Sequence, residues 1–515
     1  MSEDPVPVGW RGPAGAGLLA SIAVLVLSWP AVRSPTRWVM GASHNDANGI
    51  LWGLDRVAQH LAAGGLPPLH TTEVLFPDGA ILRIADLPEA ILLAPVTLSL
   101  GAIAAFNLLS LLHHALGAAA GWWCGRRVGA SQGGAALVAV ACGFAPVLAA
   151  TTFNQNPDVT AWYWVPLTAG LAWRAAGLRT LLLAALCAGA AALCNPYGGV
   201  MAAAAFLCLA PLRPLRVWLA GVGALAAGLG ASWWLYGLPA SLPGSATAKV
   251  VRDNLTHGVA TPLGLIQPWP DLLAQDSTWT SAVVAHFPYL GISLILLGLV
   301  GLARRSGWRL RALLAVSLIL ALGPAWPPYA ALEALTPLGL LHLSHRFTFL
   351  AVLALAAGAA RWLSPRAAWV AVVVVLVDLI GTSGPRLFRP AAPFDDGACA
   401  LLADLPEGPV FDLPGERGEQ WLYAARCHRR PIAAGLNRAM SPALEARLRD
   451  VPVHDRLGIL HAAGFRYLVH HGRSRRTELG SWPGLTRAAS ACAVAENRQG
   501  VQVMEIEACI GASGG

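Results

Sequence analysis

The chain has 515 residues, 56% of them hydrophobic and 12% charged, with 36 Lys+Arg against 28 Asp+Glu and a net charge of +8. Soluble domains carry roughly twice that charged fraction, which excludes a water-soluble enzyme. The positive charge is parcelled into short hinges between apolar runs, so it gives no reason to expect a nucleic-acid partner.

Met1–Ala14 holds Glu3 and Asp4 against a single Arg11, and no A-x-A site follows the apolar run Leu18–Val32. That run is read as a retained first span rather than a signal peptide. Apolar runs set against basic hinges then give about eleven spans. They lie near 15–33, 103–125, 133–152, 160–176, 178–194, 197–212, 215–236, 288–303, 310–325, 346–363 and 367–383. The hinges carry Arg126 and Arg127, Arg174 and Arg179, Arg213 and Arg216, Arg304, Arg305, Arg309 and Arg311, and Arg361 and Arg366, with no acid among them. Such short basic loops stay in the cytoplasm. The N-terminus is then inside, and segments 34–102, 153–159, the turn near Asn195, 237–287, 326–345 and the tail from Gly384 lie outside. Ile91–Leu100 is apolar but short and broken by Pro95, which suits a re-entrant or interfacial piece.

The expected architecture is an α-helical polytopic membrane protein embedded in a lipid bilayer. A transmembrane domain over 1–383 carries the large outside loops 34–102 and 237–287, and a periplasmic α/β domain occupies 384–515. In that tail Ala398–Leu405 reads as helix, and Pro409–Leu413 and Phe465–His470 read as strands. Val501–Ile506 is expected to form a hairpin with Ser490–Val494 across Asn497–Gly500. Cys124, Cys142, Cys187, Cys194 and Cys208 fall in or beside spans and read as small packing residues. Cys399, Cys427, Cys492 and Cys509 fall in the tail, where an oxidising compartment allows one or two disulfides and leaves three full connectivities open.

The first outside loop concentrates acids at one membrane face. Asp46, soon after the first span, has the chemistry of a general base for an acceptor hydroxyl, or of a carboxylate orienting a divalent cation. The alternative is a solvated loop residue or a helix cap. Asp55, beside Arg56, reads as a solvated helix face. Phe76–Gly79 is a turn signature that makes Asp78 structural, and Glu73 is a reserve carboxylate or an exposed loop residue. In the short second outside loop, Asp158 must sit at the membrane surface, as substrate contact or as cap. Asn154, Gln155 and Asn156 offer amides, and Trp162, Tyr163 and Trp164 suit an interfacial belt or stacking on a sugar. Arg346, after His345, has a donor fork that fits a lipid phosphate, with snorkelling to headgroups as the alternative. Lys249 and Arg252 are weaker versions of it, and Asn195–Gly199 reads as a tight turn only. His113 and His114 read as neutral packing residues and Asp378 as interfacial. No chain of acids crosses the bilayer, as a proton-coupled transporter would need.

These features resemble the GT-C membrane glycosyltransferases, the polyprenyl-phosphate-sugar-dependent group that includes mannosyl- and arabinosyltransferases. The likeness rests on Asp46 after span one, Asp158 in the short loop before span four, Arg346 in a late outside loop and the extracytoplasmic tail. The stretches HNDANGILW, FPDG and LPEAILLAPVTLSLGAIAAFNLL are similar to those of bacterial members. The resemblance implies an inverting transferase of the bacterial inner membrane with its active face periplasmic, moving a sugar from a polyprenyl-phosphate-linked donor to a periplasmic or lipid acceptor. Asp46 would be the catalytic base or metal-facing carboxylate and Asp158 its partner. His44, Glu73, Asn154, Asn156, Trp162, His345 and Arg346 form the expected substrate-binding set. A divalent cation, if one is used, falls to Asp46 and Asp158. Several enzymes of the group pair adjacent acids in the first loop, whereas Asn45 and Ala47 flank Asp46 here. Metal dependence is therefore open, as are a lipid-linked saccharide transporter or flippase and a non-catalytic scaffold in envelope assembly.

Overall fold

The computed structural model describes residues 10–41, 46–66, 70–81, 86–153, 155–175, 177–211, 215–236, 260–266, 288–304, 307–335, 341, 343–383, 390–391, 397–413, 418–435, 440–471 and 492–513. The chain divides into two compact units. The first comprises 1–42, 85–89 and 107–391, and the second 43–84, 90–106 and 392–515. The first eleven helices are α1 (Arg11–Leu27), α2 (Trp29–Val32), α3 (Asp46–Ala62), α4 (Leu87–Leu100), α5 (Ala102–Arg127), α6 (Gln132–Gly143), α7 (Pro146–Phe153), α8 (Trp164–Trp173), α9 (Leu178–Cys194), α10 (Pro196–Leu209) and α11 (Leu215–Tyr236).

The first unit is a helical bundle. Ala102–Arg127 and Gln132–Phe153 are each long and apolar enough to cross a membrane, the second interrupted between α6 and α7. Sequence reading expects eleven spans. Among the described residues several other apolar helices are shorter, for example Leu178–Cys194, Pro196–Leu209 and Ile292–Arg304. The Thr348–Trp362 helix is buried on every side from Thr348 to Ala360, as a central helix must be when it is apolar all round. The Pro365–Ser383 helix does the opposite: Ala368, Val375 and Leu379 face the core, and Val370, Val373, Val374 and Val377 are exposed. A valine-rich outer face suits lipid rather than water, and the protein is a helical membrane protein.

Several hinge arginines are held by backbone oxygens or tryptophan rings of this bundle. Arg127 donates to Gly170 O at 3.4 Å, and Arg309 donates to Trp173 O at 3.4 Å and Leu209 O at 3.2 Å. Arg309 and Arg361 both lie over the Trp173 ring, and Arg304 lies over Trp362. Asp378 is no free interfacial acid. It accepts from the Tyr289 hydroxyl at 2.6 Å, Ser293 N at 2.8 Å and Ser293 Oγ at 2.6 Å, which pins the start of the Ile292–Arg304 helix.

Ile292–Arg304 and Thr348–Trp362 approach each other closely. A Cβ on Gly301 would stand 2.3 Å from Gly358 O and 2.5 Å from Gly358 C, both backbone atoms that cannot swing aside. Without a hydrophobic force between helices in lipid, such backbone approach supplies much of the packing. Gly301→Ala is expected to destabilise the bundle by about 1–3 kcal/mol, as overpacking does. Thermal unfolding in detergent checks this, and an unchanged transition would contradict the close packing.

The second unit is α/β. Its four-stranded sheet has the order β5–β6–β8–β7, with β5 (Val410–Leu413), β6 (Tyr467–His470), β7 (Ala493–Glu496) and β8 (Gln502–Glu505). β5 and β6 are parallel, and β8 is antiparallel to both of its neighbours. Strand alternation splits the core in two. Val410, Tyr467, Val469 and Val503 pack with Trp421 and Leu422, whereas Phe411, Leu413, Leu468 and Met504 pack with Leu444, Leu457 and Leu460. Both faces of β5 and β6 are covered, whereas the edge strand β7 is mostly exposed.

Residues 43–84 belong to this unit. α3 packs on the Gly418–His428 helix, and Trp52 and Val74 join the core around Trp421. Phe76 N donates to Ile432 O at 3.0 Å and Ile432 N to Glu73 O at 2.9 Å. Asp78 accepts from Ser441 Oγ, which also caps the Pro442–Leu448 helix. The short strands β2 (His70–Thr71) and β3 (Ala80–Ile81) pair with each other. In the first unit, β1 (Val39–Met40) pairs with β4 (Pro390–Ala391). Two disulfides form, Cys399–Cys427 and Cys492–Cys509, with Cα–Cα separations of 5.9 and 5.3 Å.

A pH dependence follows in this unit. Burial, then Arg430 and His471, push the His428 imidazole down to about 3, and its Nδ1 accepts from Arg430 N at 3.1 Å. The unfolded chain takes up this proton near 6.5 and the folded unit does not. Stability is therefore fully present above about pH 6.5 and is lost as pH falls from there towards 3, at up to about 1.4 kcal/mol per pH unit. Hydrogen exchange of the β5–β6 amides across that range checks this. His428→Asn, which keeps an acceptor without the titration, is expected to flatten the slope, and an unaltered slope would contradict the assignment.

Candidate functional site

The polar site that stands out is built at the start of α4. Asp86 is 1% exposed, and its backbone N–H donates to Cys194 O at 2.9 Å, holding it against the end of α9. Glu89, one helical turn on, lies in the first turn of α4. His113 reaches the same point from α5. Its Nε2 contacts Glu89 Oε2 and lies 3.8 Å from Asp86 Oδ2. One ligand atom from each of the three side chains lies within 4.8 Å of the other two. The Tyr163 hydroxyl donates to Glu89 Oε1 at 2.6 Å, and His113 Nδ1 meets Thr160 Oγ1 at 2.7 Å. Neither oxygen of Asp86 is met by a hydrogen-bond donor. Burial, reinforced by the Glu89 carboxyl and more weakly by Asp158, holds the Asp86 carboxyl well above the ordinary carboxylate range.

A second feature adjoins the same α9–α10 turn. Asn195 caps α10 by accepting from Tyr197 N at 2.8 Å and Gly198 N at 3.3 Å. This sets Tyr197 in the bundle, where its hydroxyl accepts from Leu343 N at 2.8 Å. The short 3-10 helix Ser344–Phe347 is fastened on its other side, with Ser344 Oγ donating to Ala321 O at 3.1 Å and Ser317 Oγ to Phe347 O at 2.8 Å. Arg346 lies on this clamped turn with its guanidinium carbon 4.8 Å from the Tyr197 ring centre. It is 6% exposed, and its Nε has no hydrogen-bond partner. A buried guanidinium with an unmet donor is costly unless an anion completes it.

No protein-family model matches the sequence, and no curated protein matches it. Solved structures do. Two classes of a point mutant of arabinofuranosyltransferase AftD from mycobacteria, determined by single-particle cryo-EM, are similar over 98% of this chain, with TM-scores of 0.57 and 0.58 at 18% and 16% identity. The likeness is one of fold. The chain spans 42% of the length of those structures.

Of the residues expected from sequence, Asp158 stands half-buried in the 3-10 helix Pro157–Val159, close enough to act on Asp86. Asn156 precedes it, with a buried and unpaired amide oxygen. His345 is buried beside Arg346. Asp46 opens α3, in the second unit, and its side chain lies outside the described residues, as do His44, Asn154, Lys249 and Arg252.

Three side chains stand differently from the sequence reading. Trp162 is enclosed in the core against Phe349 and presents no face to a sugar, because the loop turns its neighbour Tyr163 to the polar site instead. Glu73 is ion-paired to Arg56 and so helps to hold α3. Asp55 is also less solvated than a surface helix face would be. It lies among Arg426, Arg429 and Arg56, and its carboxyl is raised by burial.

Sequence reasoning passed over Glu89 and Tyr197 and placed His113 among packing residues. The signal available was an Asp-x-x-Glu spacing leading into a helix, with a His in the next apolar helix. His114 does behave as a packing residue, with Nδ1 2.6 Å from Gly143 O.

Proposed function

We propose that the chain is a membrane glycosyltransferase that moves a sugar from a polyprenyl-phosphate-linked donor to a periplasmic or lipid acceptor by inverting displacement. The observation that carries this reading is Arg346, buried on Tyr197 with an unmet donor, in a fold similar to that of an arabinofuranosyltransferase. The guanidinium binds the donor phosphate and stabilises the charge that grows on it as the anomeric carbon–oxygen bond breaks. The acceptor hydroxyl attacks the opposite face of that carbon. Its proton passes to a carboxylate, for which Asp158 has a place near the α9–α10 turn and Asp46 has the resemblance behind it. Polyprenyl phosphate leaves. The two disulfides of the α/β unit support an oxidising compartment, and so a periplasmic active face in the inner membrane.

The test is transfer of labelled sugar from a polyprenyl-phosphate donor by purified protein in nanodiscs. Asp158→Asn and Asp46→Asn, run in parallel, identify the base by a loss of about 10²-fold or more, the usual scale of general-base catalysis. Movement of intact donor across proteoliposomes without covalent transfer would overturn the reading in favour of a flippase.

A further inference from the structure

We propose that Asp86, Glu89 and His113 bind one first-row divalent metal ion. The hydrogen bonds around His113 lead to this. Thr160 Oγ1 lies 2.9 Å from Pro157 O, a carbonyl that can only accept, so the hydroxyl proton goes there. The hydroxyl oxygen then accepts from His113, which places the imidazole proton on Nδ1. Nε2 is left with its lone pair directed at Glu89 Oε2 and, at 3.8 Å, Asp86 Oδ2. Three lone-pair donors in one buried site need a proton or a metal cation between them, and the unbonded oxygens of Asp86 favour the metal. An outer hydrogen bond fixing the tautomer of a ligand imidazole is the usual support of a metal site.

Glu89 is supported likewise, its second oxygen held by the Tyr163 hydroxyl at 2.6 Å. Asp86 is 1% exposed with both oxygens unbonded, so its ligand capacity is unspent. Two carboxylates and one neutral imidazole carry a charge that a divalent ion cancels. A mixed set with one imidazole fits Mn2+ or Zn2+ rather than Ca2+, which takes about six to eight oxygens. Three protein ligands leave positions open for water or an oxygen of a bound substrate.

The probe is Mn2+ alone, added to the full chain in nanodiscs after chelator treatment and followed by equilibrium dialysis and pulsed electron paramagnetic resonance. Expected is about one Mn2+ per chain, with the 14N coupling of a single imidazole. Asp86→Asn and Glu89→Gln are each expected to weaken binding by about 10-fold or more, and His113→Gln to remove the 14N coupling. Substoichiometric binding, or a bound ion without imidazole coupling, overturns the proposal and leaves a protonated imidazole between the carboxylates. The wild-type spectrum decides this even if a variant fails to fold. No donor or acceptor is present, so the result is separate from that of the transfer assay.

Discussion

Arg346→Met is expected to lower kcat/KM for sugar transfer by about 10- to 100-fold, the worth of one to two charge-assisted hydrogen bonds to a phosphate. Folding stability should hold or rise, because the substitution also removes a buried guanidinium whose Nε is unpaired. That opposition separates a ligand contact from a structural one. A structural arginine loses stability and activity together. Arg346→Lys keeps the charge but loses the planar fork and the stacking on Tyr197, so an intermediate rate is expected. Initial rates and thermal transitions measured on the same nanodisc samples decide between the two. A Met variant with full activity would remove Arg346 from the site.

Loss of the Cys399–Cys427 bridge is expected to cost the α/β unit about 3–4 kcal/mol, since the bond closes a 28-residue loop in the unfolded chain. The bridge joins the Ala398–Ala403 and Gly418–His428 helices, and the second of these carries α3. Its removal is therefore expected to loosen α3 and the β5–β6 pair together. The 17-residue Cys492–Cys509 loop should contribute slightly less. Double replacement by alanine, followed by hydrogen exchange of the full chain, checks the ranking. Unchanged protection of β5, β6 and α3 in the Cys399/Cys427 variant would contradict it.

The elements legible in the sequence are those whose signal is local. The tail strands were readable because a short buried-strand pattern at Val410–Leu413 and alternation at Tyr467–His470 and Gln502–Glu505 are local signals. The Asn497–Gly500 turn between β7 and β8 was readable for the same reason, and so was a cysteine-bearing tail able to form disulfides. The association of residues 43–84 with the tail was not legible. It depends on Trp52 and Val74 finding Trp421 across more than three hundred residues, and no periodicity records such a meeting.

The polar site divides the same way. Arg346 draws notice in the sequence because an arginine at the start of an apolar helix is rare and chemically specific. Asp86 was only one acid among several in the first loop. Glu89 carries no local mark that singles it out, and His113 reads as a core residue in an apolar run. Their meaning appears only when α4 and α5 bring one helical turn of acids against an imidazole. Within the aromatic trio Trp162–Trp164, sequence cannot say which ring turns inward, and the choice of Tyr163 over Trp162 belongs to packing.

The most direct measurement is a cryo-EM structure of the full chain with a non-transferable polyprenyl-phosphate sugar analogue. Phosphate density is expected within hydrogen-bond distance of the Arg346 guanidinium, beside Tyr197 and the α9–α10 turn. Phosphate bound elsewhere, with Arg346 still unengaged, would contradict it.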